Sequence, residues 1–162
     1  MSAKRIEAVL RPASVAVVGA SDTPGSIGEV LCRNLREGGF RGPVFYVNPL
    51  HATIGDELSY PDVRSLPQTV DVAIVATPPP TLPTVLEHCG ERGVRGAIIV
   101  SAGFREGGEE GAACERAMLQ VARRYGLRLL GPNSFGVIRT DNGFNASCGA
   151  ALPQPGRLAL VS

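Results

Sequence analysis

The sequence predicts an α/β domain built on a mainly parallel sheet with helices on both faces. Three observations carry this expectation. Five short runs are apolar and rich in β-branched residues, three longer segments between them place apolar residues every third or fourth position, and glycines stand where each of those segments stops. Runs with no polar alternation are buried on both sides, as parallel strands covered by helices are.

The elements follow in chain order. The opening Met1 to Arg11 is charged and of helical period. The run Ser14-Val15-Ala16-Val17-Val18 begins a strand over 15–19, followed by a glycine-rich turn from Gly19 to Gly28 and a helix over 27–37 that Gly38-Gly39 ends. A second strand over 44–47 leads into Asn48-Pro49-Leu50-His51. Between Pro49 and Pro67 the pattern loosens, and 54–63 reads as a short crossover with one brief strand. A third long run, 72–76, precedes Thr77-Pro78-Pro79-Pro80, whose prolines break the chain before a helix over 82–92 ended by Gly93. A strand over 97–100, a helix over 109–125 ended by Gly126 and a strand over 127–130 complete the alternation. The segment Asp141-Asn142-Gly143-Phe144-Asn145 reads as a turn; it lacks the alternating carboxylates of a calcium loop. Residues 156–162 read as a turn followed by a strand that stops as soon as it has begun. The expected organisation is a single domain over 1–155, with 156–162 opening a linker or strand toward a following domain.

Composition narrows the function. The 162 residues are 44% hydrophobic and 19% charged, enough for one substantial core, and 16 basic against 15 acidic residues leave a net charge of +1. That balance provides no field for a nucleic-acid backbone or an anionic membrane, so any anion must be held locally. Cys32, Cys89, Cys114 and Cys148 are widely spaced and, with only His51 and His88 to join them, read as buried thiols rather than metal ligands. The first apolar run is too short for a signal sequence or a membrane span, and the expected compartment is a reducing cytoplasm.

In open parallel sheets a ligand lies across the carboxyl ends of the strands. The residues just after each apolar run are therefore the informative ones, and they are small, polar or proline throughout. The glycines of the first turn let backbone approach an anion, and the helix that opens near Ile27 directs unpaired N–H groups and a partial positive charge to the same point. An NAD site places Asp or Glu at the end of the second strand to hold the ribose hydroxyls; here Asn48 stands there. The turn also departs from G-x-G-x-x-G, with glycines at 19, 25 and 28 and Ser21 where the second glycine would be. Both departures point to an adenine nucleotide with a different tail.

Taken together, Val17-Val18-Gly19-Ala20-Ser21, Pro24-Gly25-Ser26-Ile27-Gly28, Val47-Asn48-Pro49, Ser101-Ala102-Gly103-Phe104 and Gly131-Pro132-Asn133-Ser134-Phe135-Gly136-Val137-Ile138 resemble the CoA-binding domain of NDP-forming acyl-CoA synthetases. That family includes ADP-forming acetate–CoA ligases and the α subunit of succinyl-CoA synthetase; the same module also heads some bacterial protein lysine acetyltransferases. The resemblance runs from about Leu10 to Ser162 and implies a Rossmann-like, doubly wound fold that binds coenzyme A or acyl-CoA. It implies that Gly19, Ser21, Gly25, Ser26, Ile27 and Gly28 surround the CoA phosphates, and that Asn48 and Pro49 border the ribose and adenine. Val75, Ala76, Thr77 and Pro78 would form a wall along the adenine and pantetheine. Ser101, Ala102 and Gly103 would meet the pantetheine arm, with Asn133 and Ser134 nearest the reacting thiol. Relatives often carry a lysine just after the asparagine–proline pair, where this chain has Leu50 followed by His51.

No catalytic residue is expected within the chain. In the ligase family the phosphate-carrying histidine belongs to a later domain, His88 sits in a helical stretch, and Ser101 and Ser134 have no identifiable base. The resemblance implies further domains or subunits of a ligase or an acetyltransferase as partners, with no nucleic acid and no membrane. The expected function is CoA binding within an acid–CoA ligase. The alternatives are a CoA-sensing module of an acetyltransferase and an NAD(P)-binding oxidoreductase domain.

Overall fold

In the computed structural model, residues 3–150, 153–157 and 159–161 are described. Met1 and Ser2 of the expected first helix, and Leu158 and Ser162 of the expected last strand, lie outside the described residues. Helix α1 (Ala3–Leu10) precedes β1 (Val15–Val18), α2 (Ile27–Glu37) and β2 (Val44–Val47). Two short strands follow, β3 (Thr53–Ile54) and β4 (Glu57–Tyr60), then β5 (Val72–Val75), α3 (Leu82–Glu91), β6 (Gly96–Ile99), α4 (Gly108–Tyr125) and β7 (Arg128–Leu130). A hairpin of β8 (Gly136–Arg139) and β9 (Phe144–Ser147) ends the regular structure.

The main sheet has the order β3-β4-β2-β1-β5-β6-β7, with every neighbouring pair parallel except β3 with β4. The chain winds outward from β1 through β2 to β4, then returns to the other side of β1 and winds outward again. The reversal falls between β1 and β5, where the loops leaving adjacent strands diverge and open a crevice.

Each central strand is apolar on both sides because each side meets a different layer. Val15 and Val17 of β1, Val72 and Ile74 of β5 and Ile98 of β6 pack against Leu31, Cys32 and Leu35 of α2, with Val9 of α1. Their neighbours Ala16, Val18, Ala73, Val75, Ala97 and Ile99 pack against Leu82, Leu86 and Cys89 of α3 and Met118 and Ala122 of α4. Full burial of one such aliphatic side chain contributes roughly 1.5–3 kcal/mol. Both layers are therefore needed to cover the sheet.

The structure corrects the sequence reading at two places. The expected loose crossover holds two strands rather than one, and β4 pairs in parallel with β2 through Tyr46 with Ser59 and Val47 with Tyr60. The β8–β9 hairpin, where only a turn was expected, closes the α2 face with Val137, Phe144 and Ala146. It is fixed by Asn34, a buried polar residue on α2 whose Nδ2 donates to the carbonyls of Ser147 and Gly149, both at 2.8 Å. Among the described residues of 153–161 no strand is formed, and Leu160 and Val161 are 94% and 95% exposed.

Candidate functional site

The site is built at the carboxyl edge of the sheet, where β1, β2 and β5 end side by side. Val18, Val47 and Val75 are paired across adjacent strands, so the three following loops start from one level. The amides of Gly19 and Ala20 both donate to the carbonyl of Val47, at 2.9 and 3.3 Å, which holds the first loop against the end of β2.

That first loop is shaped by its small residues. The Ser21 hydroxyl accepts from the Thr23 amide at 3.0 Å, and the Ser26 hydroxyl caps α2 by accepting from the Glu29 amide at 3.1 Å. Gly25 adopts φ +79° with open space around it, whereas Gly28 is buried so closely that an added Cβ would stand 2.2 Å from the carbonyl oxygen of Gly19. The absent side chain at 28 lets α2 begin directly against the end of β1. The amides of Asp22, Gly25, Ile27 and Gly28 have no acceptor among the described residues. Four free donors, two of them in the first turn of an eleven-residue helix, form an anion-binding arrangement.

Beside the loop lies a crevice of about 570 Å³, within the range of small-molecule sites, roughly 300–1,000 Å³. Its walls are Val18, Gly19, Val47 and Asn48-Pro49-Leu50 on the β2 side and Ala76-Thr77-Pro78 on the β5 side. Asp62 and Val63, from the turn after β4, and Thr84, Val85 and His88, from one face of α3, also line it. Asp62 and His88 are the ionisable side chains of this lining; it contains no lysine or arginine. Burial pushes the Asp62 carboxyl up, but hydrogen bonds from the Ser65 hydroxyl and amide, with the charges of Arg64 and His88, outweigh it and hold the group below its ordinary value.

The expected site residues fall into three sets. Gly19, Asn48, Pro49, Ala76, Thr77 and Pro78 line the crevice. Ser21, Gly25, Ser26, Ile27 and Gly28 form the adjoining loop and helix start. Ser101, Ala102, Gly103, Asn133 and Ser134 form a separate group at the ends of β6 and β7. There the Ser101 hydroxyl donates to the Thr77 carbonyl at 2.6 Å, the Asn133 amide donates to the Ser101 carbonyl and the Ser134 amide to that of Ile99. Val75 lies within β5 with its side chain fully buried in the core, beneath the crevice rather than in its lining.

Asn48 has a structural task as well as a place in the wall. Its Nδ2 donates to the Ala20 carbonyl at 2.8 Å and its Oδ1 accepts from the Leu50 amide at 2.9 Å, so the side chain ties the first two loops together. Leu50 is 84% exposed and His51 is exposed beside it. Arg64 stands at the crevice rim, 3.6 Å from Asp62. Arg41 lines a different cavity at the amino edge of the sheet, with Pro12, Gly38 to Gly42 and Thr140 to Gly143.

Sequence reasoning missed Asp62, Val63, Thr84, Val85 and His88. The α3 set carries a signal in its spacing, since Thr81, Thr84, Val85 and His88 share one helical face. Asp62 was hidden because β4 was not resolved as a strand of the sheet, and the residue after it was therefore not read as an edge position. Cys32 and Cys89 are buried beneath the site, and burial pushes their thiols up to about 11 and about 12; at Cys32 a hydrogen bond from the Ser21 amide opposes the rise. They are core side chains. No group of metal-ligating side chains occurs among the described residues, and no helix among them is long and apolar enough to cross a membrane.

The family model of the CoA binding domain matches residues 13–140. Acetate–CoA ligase [ADP-forming] I of Archaeoglobus fulgidus is 42% identical over 157 residues, covering 97% of this chain and 23% of that protein. The α subunit of acetate–CoA ligase [ADP-forming] I of Pyrococcus furiosus is 44% identical over 161 residues, covering 97% of this chain and 35% of that subunit. Among solved structures, the acetyl-coenzyme A synthetase 1 of Ca. Korarchaeum cryptofilum, in complex with phosphate and ADP, superposes with a TM-score of 0.82 at 38% identity, over 89% of this chain and 31% of that one. The chain thus spans between about a quarter and about a third of the length of these relatives.

Proposed function

The chain belongs to the CoA-binding domain family of the ADP-forming acid–CoA ligases, and on that premise we propose that it holds the nucleotide end of coenzyme A across the crevice between β1, β2 and β5. The observation that carries this reading is the pairing of a donor-rich loop with an apolar slot. The free amides of Asp22, Gly25, Ile27 and Gly28 suit the diphosphate, and the slot beside them suits a flat base and its ribose. In this reading Asn48 and Pro49 border the ribose and adenine, while Ala76, Thr77 and Pro78 form the facing wall. The pantetheine arm leaves past Ser101, Ala102 and Gly103 toward Asn133 and Ser134, whose amides donate to the carbonyls of Ser101 and Ile99.

The same geometry argues against a dinucleotide. A carboxylate at the end of the second strand would hold ribose hydroxyls, but Asn48 occupies that place and both of its polar atoms are engaged by the loops.

The chain provides binding and orientation. The activity of the longer relatives supports a reading in which other segments or subunits supply the chemistry, joining a carboxylic acid to the CoA thiol at the expense of a nucleotide. Four free cysteines support placement in a reducing compartment. Calorimetry on the chain as it stands tests the reading: CoA binds at one site and NAD gives no heat. Binding of NAD without CoA overturns it.

A further inference from the structure

The crevice is mostly apolar, and two ionisable side chains, Asp62 and His88, stand in its lining. A base held between the β2 and β5 walls would share the cavity with Asp62, from the turn after β4, and His88, from α3. The Asp62 carboxylate is half committed: Oδ1 accepts from both the Ser65 amide and the Ser65 hydroxyl at 2.9 Å, while Oδ2 has only the exposed Arg64 guanidinium at 3.6 Å, longer than a hydrogen bond. The Oδ1 bonds cap the three-residue turn Val63–Ser65 and fix the carboxylate in place. Oδ2 remains an acceptor at the rim of the slot.

From this arrangement we propose that Asp62 selects the base, accepting a hydrogen bond from the exocyclic 6-amino group of adenine and rejecting bases that carry a carbonyl at that position. A carboxylate that stays ionised at neutral pH can accept but not donate. An amino edge therefore satisfies it, and a keto edge sets two acceptors against each other in a partly desolvated slot, where an unmade bond is penalised more than a made one is rewarded. The other ionisable group of the lining is His88 on α3, close enough to help hold the Asp62 carboxyl below its ordinary value. The inference rests on the crevice holding the nucleotide of CoA, and it adds which residue reads the base.

The test compares CoA with its hypoxanthine analogue, obtained by deaminating the adenine, by calorimetry on the wild-type chain and on Asp62→Asn. Asparagine preserves the cap through its Oδ1 and turns its Nδ2, a donor, toward the base in place of the acceptor Oδ2. The wild type is expected to prefer CoA by about tenfold or more, and Asp62→Asn to lose that preference or reverse it toward the hypoxanthine analogue. Equal binding of the two ligands by the wild type overturns this inference and leaves the CoA site standing. A preference that survives Asp62→Asn but collapses in His88→Ala assigns the base edge to His88 and also overturns it. Failure of both ligands to bind the wild type removes the site and the inference together.

Discussion

The two halves of the site are made of different material. The loop from Gly19 to Gly28 is a backbone device: Ser21 braces the loop, Ser26 caps α2, and the donors left without an acceptor are main-chain amides. The crevice beside it is a side-chain device, assembled from the ends of β1, β2 and β5, the turn after β4 and one face of α3. A backbone device depends on conformation and on the absence of side chains, so glycine substitutions should damage it. A side-chain device tolerates conservative exchange and is tuned residue by residue.

The most severe way to break the first half is Gly28→Val. The added Cβ would meet the Gly19 carbonyl oxygen at 2.2 Å and the Ser21 amide nitrogen at 3.0 Å, both backbone atoms, so α2 must move away from β1. Loss of about 3 kcal/mol of stability is expected, read from the midpoint of urea unfolding, together with loss of CoA binding. Gly25→Ala separates conformation from crowding, because position 25 has φ +79° and nothing within 4 Å of an added Cβ. Strain of about 1 kcal/mol should appear in the same unfolding curves, with CoA affinity falling about tenfold as the amides swing out of line. Wild-type affinity in Gly25→Ala would show that the loop conformation does not matter to the ligand.

The second half has a smaller signature, in pH. Asp62 has a folded value below its ordinary one, so its contribution to stability is complete above the usual carboxylate range and is lost as pH falls through the depressed folded value. Unfolding midpoints of the wild type and Asp62→Asn should therefore keep a constant difference between pH 6 and 8, roughly, and converge only in the acid range. A difference that changes near neutrality would mean that the carboxylate titrates there. It would then no longer be an acceptor only.

What was legible in the sequence follows the same division. The strands β1, β2, β5 and β6 and the helices between them announce themselves because burial on two faces demands uninterrupted apolar runs and a helix demands its own period. The first loop was legible as a local string of glycine and serine. The crevice was legible only as far as its walls are the residues that directly follow a recognised strand, as Asn48, Pro49, Thr77 and Pro78 do. Asp62 and His88 come to the site through β4 and α3. β4 has only four residues, and just Ser59 among them is buried, so periodicity had little to register. The β8–β9 hairpin escaped for a related reason: its place in the core depends on Phe144, Ala146 and the distant amide of Asn34, a long-range bond with no local trace.

The central claim is that main-chain amides of the first crossover hold the ligand's diphosphate. Amide chemical shifts of the 15N-labelled chain, followed through a titration with CoA, test it most directly. The account predicts the largest downfield shifts at Asp22, Gly25, Ile27 and Gly28, with smaller ones at Asn48 and Thr77. Shifts that leave those four amides unmoved and gather instead at the amino-edge cavity around Arg41 and Thr140 would contradict it.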